Sequence, residues 1–406
     1  MTKTETVTID KLIPGGQGIG TLESGKKALV WGALPGETVE FEITKNKSSF
    51  CEGNTVLFFN KSEHRVNPRD LCYLATSPWQ IMDYDYELEQ KSALVAECFR
   101  QNQITPKVNP TITDGKSYYY RNKMEYSLYW DNATNKIELA FRARGTHRKG
   151  PITESSIERS EILTKAKSII KQLNAEHKSA RDYQSLLARC DQKGNVSSAL
   201  YENYKPRPRI ALLSDTLCGY EYFYSPNSFF QVNLPVYNLA LVEIKEYIET
   251  DKVLDLYAGV GTIGLSIARD KNLTLVEVDK SAFAELVTNC SSADSGQPAL
   301  SEKNIWRGEH NRLTAVCASS EEVLDYITPD TTVILDPPRA GCDAKLIDKL
   351  AQVKPPTIIY LSCNPITQAR DIKLLLDSYE IQTCQPFNFF PRTPHIENLV
   401  VLRHKI

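Results

Sequence analysis

The chain has 406 residues, a formal net charge of −2 and a hydrophobic content of 41%. That length allows two or three domains, and the apolar share is ordinary for a soluble globular protein. The near-neutral charge gives no global sign of a nucleic-acid binder. No apolar run reaches the length of a membrane span, and Met1-Thr-Lys-Thr-Glu5 lacks the apolar centre of a signal peptide. A cytoplasmic protein is therefore expected. Ten cysteines are spread without a CxxC pair, as reduced thiols rather than a disulfide framework.

Residues 1–60 read as short strands, Val7–Ile9, Lys27–Trp31, Thr38–Ile43 and Gly53–Phe58, with Gly15-Gly16, Gly18, Gly20, Gly25 and Pro35-Gly36 as turns. This spacing suggests a small five-stranded β-barrel of the oligonucleotide-binding kind. Asn60 to Arg69 reads as a linker. Residues 61–225 read as a mixed α+β domain. Tyr84–Phe99 and Ser160–Leu173 are predicted helices, and Tyr118–Tyr129 and Lys136–Arg142 are strands paired around Asp131-Asn132. Between Lys116 and Lys149 there are eight Lys/Arg against three Asp/Glu, with Tyr118, Tyr119, Tyr120, Tyr126 and Tyr129 interleaved. Lys205, Arg207 and Arg209 form a second cluster. Basic residues among aromatics can hold phosphates and stack bases; a solvated strand face with inward tyrosines has the same pattern.

Residues 226–406 alternate strands (Val253–Leu256, Leu273–Glu277, Val333–Leu335, Thr357–Leu361, Leu399–Leu402) with helices such as Thr262–Arg269 and Ala344–Gln352. This is the pattern of an α/β, Rossmann-like doubly wound parallel sheet, which binds ligands beyond the carboxyl ends of its strands. Three such ends carry chemistry. Asp255-Leu-Tyr-Ala-Gly-Val-Gly-Thr-Ile-Gly264 is a glycine-rich turn that lets backbone approach a ligand, and Glu277 ends the next strand, where an acid can bind ribose hydroxyls. A dinucleotide or a purely structural turn remains an alternative. Asp336-Pro-Pro-Arg339 is a stiffened acidic loop. Cys363 follows Tyr360-Leu-Ser362, and a thiolate there would be a nucleophile, although most free cysteines are inert and buried. Glu397 is either a general base for that thiol's chemistry or a loop acid. Gln231, after two phenylalanines, offers a donor and an acceptor, or simply opens a helix.

Together these residues resemble the RNA uracil-5-methyltransferase family. Ser228-Phe-Phe-Gln-Val-Asn233, Asp255 to Gly261, Leu335-Asp-Pro-Pro-Arg-Ala-Gly341, Tyr360-Leu-Ser-Cys-Asn-Pro365 and His395-Ile-Glu397 fall in the family's order. Tyr120-Arg-Asn-Lys123 matches its central-domain signature, and Gly16-Gln-Gly-Ile-Gly20 with Ala33-Leu-Pro-Gly-Glu37 resembles its TRAM module. The resemblance implies catalytic Cys363 and Glu397. It implies an S-adenosylmethionine site at Gln231, Tyr257, Gly259, Gly261, Glu277 and Asp336, with the target base taken out of its stack. It implies an RNA partner, 23S ribosomal RNA by analogy with members that carry the module, and transfer RNA as the alternative. No membrane and no obligate protein partner are expected. Two further readings are an amino-group methyltransferase of the Asp-Pro-Pro type and a non-catalytic RNA-binding derivative. Many members hold an iron–sulfur cluster on four cysteines. Here Cys72 alone remains of the run, with Ser77 and Ser160 in apparent ligand positions, so the cluster is expected to be absent. Ser319 and Thr262 also depart from the family's commoner residues.

Overall fold

The computed structural model describes residues 3–405 except 143, 145–148, 153, 207, 209, 294–298, 303 and 309–311. Arg148, Arg207 and Arg209 of the basic clusters thus lie outside the described residues. At the N-terminus, β1 (Thr4–Leu12), β2 (Gly18–Thr21), β3 (Lys27–Trp31), β4 (Thr38–Asn46) and β5 (Phe50–Phe58) form a closed barrel in the order β1-β2-β3-β5-β4. The glycines read as turns at 18 and 20 belong instead to β2. A Cβ on Gly20 would lie 2.1 Å from the Thr8 carbonyl oxygen, and one on Gly53 2.1 Å from that of Glu42. So narrow a barrel brings backbones together where no side chain fits.

A short helix, α1 (Tyr73–Thr76), precedes α2 (Tyr84–Gln101), which starts at an N-cap: Asp83 accepts from Tyr86 N. A second sheet follows. It comprises β6 (Lys123–Asp131), β7 (Lys136–Arg142), β8 (Lys149–Pro151), β9 (Tyr183–Cys190) and β10 (Val196–Glu202), in the order β10-β9-β6-β7-β8. Helix α3 (Ser160–Ala175) lays Ile162, Ala166 and Ile170 against Tyr126, Leu139 and Leu186 of this sheet. The first strand begins at Lys123 rather than Tyr118 because Tyr119 has left-handed backbone, φ 53. Residues 61–225 do not pack as one unit. Leu94, Val95 and Phe99 of α2 are buried with Ile358, Tyr360 and Val400 of the C-terminal sheet.

The hairpin β11 (Leu213–Leu217) and β12 (Tyr220–Tyr224) leads through α4 (Leu234–Lys245) into the large sheet. Its strands and helices are β13 (Lys252–Leu256), α5 (Thr262–Ile267), β14 (Asn272–Glu277), α6 (Lys280–Ala293), β15 (Ala299–Glu302), β16 (Ile305–Arg307), β17 (Leu313–Cys317), β18 (Thr331–Leu335), α7 (Ala344–Val353), β19 (Thr357–Ser362), α8 (Pro365–Lys373), β20 (Tyr379–Phe387) and β21 (Glu397–His404). The order is β15-β16-β17-β14-β13-β18-β19-β21-β20, with β17 to β19 of that order all parallel. Alternate side chains face two cores. Leu273, Leu275, Ile334 and Ile359 meet α4 to α6, while Leu254, Leu335, Ile358 and Tyr360 meet α2, α7 and α8. Strand β20 escapes the sequence pattern because it is an edge strand that carries Pro386.

Two features of this sheet position the site. Strand β13 has β14 on one side and β18 on the other, so the chain winds outward in both directions from it and opens a crevice at its carboxyl end. Strand β21 runs antiparallel to β19 with Ser362 opposite Asn398. The beginning of β21, at Glu397, therefore sits at the same edge as the end of β19, at Cys363.

Candidate active site

The glycine turn after β13 is built around carboxylates. Gly264 N donates to Asp255 Oδ2 at 2.8 Å, and Gly259 N donates to Glu277 Oε2 at 2.9 Å. Asp279 N holds the other Glu277 oxygen at 2.6 Å. Each Glu277 oxygen keeps a lone pair for a ligand hydroxyl. Gly259, φ 58, has nothing within 4 Å of where a Cβ would stand, so it leaves open space. Gly261, φ 90, is glycine for packing, since its Cβ would lie 2.6 Å from Leu286 Cδ1. Asp255 is fully buried, and burial pushes its carboxyl up to about 7.

A cleft of about 580 Å³ opens over the ends of β13, β14 and β17, within the range of small-ligand sites. Tyr257, Glu277, Val278, Ser319, Gly341 and Arg370 line it. Tyr257 takes left-handed backbone, φ 65, and its hydroxyl accepts from Ser320 Oγ at 2.8 Å. Ser319 caps the short turn below: its N and Oγ both donate to Glu322 Oε2 at 2.9 Å. Thr262 is joined to α4 through Tyr237, with hydroxyls 2.7 Å apart. An acceptor in Glu277, an open glycine and an aromatic wall in Tyr257 together suit a nucleoside.

Beside this cleft the sheet brings Asp336, Cys363 and Glu397 together. Cys363 is half-buried. Its thiol is pushed up to about 11, first by burial, then by the Glu397 and Asp336 charges, while the Arg339 guanidinium pulls it down. Glu397 is buried, 3% exposed, and burial then Asp336 raise its carboxyl well above the ordinary range. Burial brings Asp336 up to about 7. Arg339 is a cation that offsets this acidity at both Cys363 and Glu397. Asn364 Nδ2 holds its carbonyl at 2.9 Å, and its Nη2 lies 3.4 Å from His395 Nδ1. Sequence reasoning quoted Arg339 and Asp255 within motifs but gave neither a role. Their positions beside other acids, visible only in three dimensions, mark them.

Gln231 lies on a separate element, buried in the segment between β12 and α4. Its carbonyl accepts from Asn122 Nδ2 at 3.2 Å and Arg189 Nη2 at 3.1 Å. Arg189 also lies over the stacked rings of Tyr224 and Phe230. Phe229 next to it is 73% exposed.

The basic segments divide. Tyr126 and Tyr120 are buried, bonding Glu158 Oε1 at 3.0 Å and the Pro391 carbonyl at 3.1 Å. Arg69 sits over Tyr118 and Tyr119 at 5.2 and 5.1 Å, and Tyr119 is exposed. Arg144 binds the Leu74 carbonyl at 2.9 Å and covers the Trp31 ring of the barrel at 4.4 Å. Lys149 Nζ reaches the Leu128 carbonyl at 2.8 Å. Burial lowers Lys123 to about 8. Several of these cations are therefore already engaged within the protein.

Near Cys72, whose thiol feels the Asp70 charge, lies a buried polar group. Gln80 Nε2 donates to Ser77 Oγ at 2.7 Å and to Asp70 Oδ2 at 2.8 Å, and Asp70 Oδ2 also accepts from Ser156 N and Oγ at 3.0 and 2.9 Å. Ser156, not Ser160, bonds into this group; Ser160 is exposed and donates to Glu161. No helix among the described residues is long and apolar enough to cross a membrane.

The sequence profile of the family described as tRNA (Uracil-5-)-methyltransferase matches residues 215–405, and that of the TRAM domain matches residues 2–56. An uncharacterised RNA methyltransferase of Bacillus cereus is 26% identical over 99% of this chain and 97% of its own length. One of Staphylococcus aureus is 27% identical over 92% of each. The crystal structure of the Pyrococcus abyssi tRNA (uracil-54, C5)-methyltransferase, in complex with S-adenosyl-L-homocysteine, is similar in fold, with a TM-score of 0.75 and 24% identity over 98% of this chain and all of that one. A TRAM domain in front is thus followed by a C-terminal part, residues 215–405, that belongs to the family described as tRNA (Uracil-5-)-methyltransferase.

Proposed function

We propose that the protein methylates C5 of a uridine in RNA, with S-adenosylmethionine as methyl donor and Cys363 as a transient covalent nucleophile. One observation carries this reading: β19 and the antiparallel β21 bring a thiol and a buried carboxyl to one edge, beside the Asp336 loop. When bound, S-adenosylmethionine supplies an electrophilic methyl group. Glu277, Tyr257 and the Gly259–Gly261 turn would hold its nucleoside end, with Asp336 and Gln231 towards the base.

C5 of uracil is a weak nucleophile. The Cys363 thiolate adds to C6, and the electron pair of the C5–C6 double bond moves onto C5 and the adjacent carbonyl as an enolate. C5 then takes the methyl group as its bond to the donor sulfur breaks, with the electron pair left on that sulfur. Glu397, as carboxylate, removes the C5 proton; that electron pair re-forms the double bond, and the C6–Sγ bond breaks to return the thiolate. Burial, which raises the Glu397 carboxyl above the ordinary range, makes its carboxylate a stronger base for this step. Arg339 favours the thiolate that both the first and the last step require.

For the RNA, large-subunit ribosomal RNA is the first reading and rests on the TRAM domain by analogy. Transfer RNA is the second. One observation favours it: the fold similarity to the Pyrococcus enzyme extends over 98% of this chain, so the barrel does not separate the two classes. Mapping 5-methyluridine in ribosomal and transfer RNA from cells with and without this protein decides between them. Cys363→Ala is expected to abolish methylation while cofactor binding persists. Glu397→Gln is expected to trap a denaturation-resistant protein–RNA adduct. Normal turnover by either variant would overturn the chemistry.

A further inference from the structure

The segment that delivers Glu397, residues 388–396, is not held by the catalytic sheet alone. Lys91 Nζ of α2 binds the Phe390 carbonyl at 3.0 Å, Glu87 Oε1 accepts from Arg392 N at 2.9 Å, and Tyr120 Oη donates to the Pro391 carbonyl. Further support comes through Trp79, in the turn Pro78–Ile81 between the barrel and α2, and from the N-terminal barrel itself. Trp79, 1% exposed, donates from its backbone N to the Arg392 carbonyl at 3.1 Å and from its indole Nε1 to the Gly16 carbonyl at 3.1 Å. Gly16 is buried between them, and a Cβ there would meet Pro394 Cβ at 2.6 Å and Cγ at 2.7 Å. Leu12 and Leu34 of the barrel share one apolar cluster with Trp79 and with Ile396, the residue before Glu397.

We infer that the Gly15-Gly16 loop of the barrel is a positioning element for Glu397, acting through Trp79 and Pro394, so that the barrel sets the proton-removal step as well as any contact with RNA. This rests on the assignment of Glu397 as the base. The barrel loop and the catalytic segment meet backbone to ring, without a flexible side chain between them. A methyl group at Gly16 must push the Pro394 ring by about 1 Å to reach ordinary contact near 3.5–4.0 Å. A misplacement of that size at a reacting group costs on the order of 100-fold in rate.

The neighbouring glycine provides the control. Gly15 has φ 103 and Gly16 has φ 98, so alanine strains the backbone alike at both, but nothing lies within 4 Å of a Cβ at Gly15. Full-length Gly15→Ala, Gly16→Ala, Trp79→Phe and Glu397→Gln are compared for turnover at saturating RNA and cofactor, S-adenosylhomocysteine affinity, melting temperature and the fraction of RNA held as covalent adduct. Gly16→Ala is expected to turn over roughly 10- to 100-fold more slowly than Gly15→Ala, with adduct accumulating as in Glu397→Gln and cofactor affinity unchanged. Trp79→Phe, which loses the bond to Gly16 but keeps an aromatic ring, is expected to move the same way by a smaller factor, and decides the matter if Gly16→Ala does not fold. Gly16→Ala matching Gly15→Ala, or slowing without adduct, overturns the inference. If Glu397→Gln itself traps no adduct, the base assignment falls instead.

Discussion

Titrating Cys363 in place tests the electrostatics on which the proposed chemistry depends. Burial, then Glu397 and Asp336, holds the thiol up to about 11 in the free protein. At pH 8 a thiol with that value is about one-thousandth thiolate, against roughly a quarter for an ordinary cysteine near 8.5. Its alkylation by iodoacetamide should therefore rise close to tenfold per pH unit from 7 to 10 without levelling. Asp336→Asn removes one of the raising charges. A charge within about 4–6 Å moves a neighbour by roughly 1–3 units, so this variant should react about 10- to 100-fold faster at pH 9, where the upper limit is complete ionisation of the thiol. The sign and window follow from Asp336 itself, which burial raises to about 7. Below that pH its carboxyl is mostly neutral in the wild type and the two proteins should converge; above it they should part. Arg339→Gln removes the lowering charge and should shift the titration the other way. Peptide mapping by mass spectrometry isolates Cys363 from the other nine cysteines, with Cys363→Ala as the blank. A wild-type rate that levels by pH 9, or an Asp336→Asn profile that overlies it there, would refute this account.

Two further outcomes follow from the buried polar groups. Glu87, fully buried, faces Lys91 Nζ at 3.3 Å and Arg392 Nη1 at 3.7 Å, so Glu87→Ala leaves two cations without their anion and should cost about 3–5 kcal/mol in denaturant unfolding; a loss below about 1 kcal/mol would mean that water reaches this group. In the central region Cys72 is the one thiol left of the run, and Ser77, in an apparent ligand position, accepts instead from Gln80 Nε2 at 2.7 Å. Protein purified without oxygen should therefore contain no stoichiometric iron, and about four irons per chain with visible charge-transfer absorption would contradict this.

The doubly wound sheet was legible because its inner strands are buried on both faces and read as unbroken apolar runs: Val333-Ile-Leu335 and Thr357–Leu361 have no alternation to confuse. Strand ends then carried the candidate residues almost automatically, since a chain leaving a parallel strand leaves at the ligand-binding edge. The missed elements share the opposite property. Strand β2 is glycine-rich because backbones crowd there, which in sequence is indistinguishable from a turn. Strand β20 holds a proline at an edge, and the start of β6 is shortened by one residue of left-handed backbone. For β2 and β20 the decisive fact is a neighbour distant in the chain, and for β6 it is a backbone angle that the sequence pattern does not show.

The same division applies within the site. Cys363 and Asp336 can be placed from their own segments, each a strand followed by a loop. Glu397 cannot: alone it is an acid before an apolar strand, and what brings it to the thiol is the antiparallel register of β21 on β19, which no local pattern specifies. Its surroundings are assembled from still farther away, with α2, Trp79 and the barrel each supplying part of the support for residues 388–396. Such a dispersed support suits the base role proposed for Glu397. An acid displaced by burial towards its neutral form acts at the right moment only if its carboxyl is held against the reacting carbon rather than free to turn towards water. A loop anchored at one end would allow that turning, and one clamped by three separate units does not.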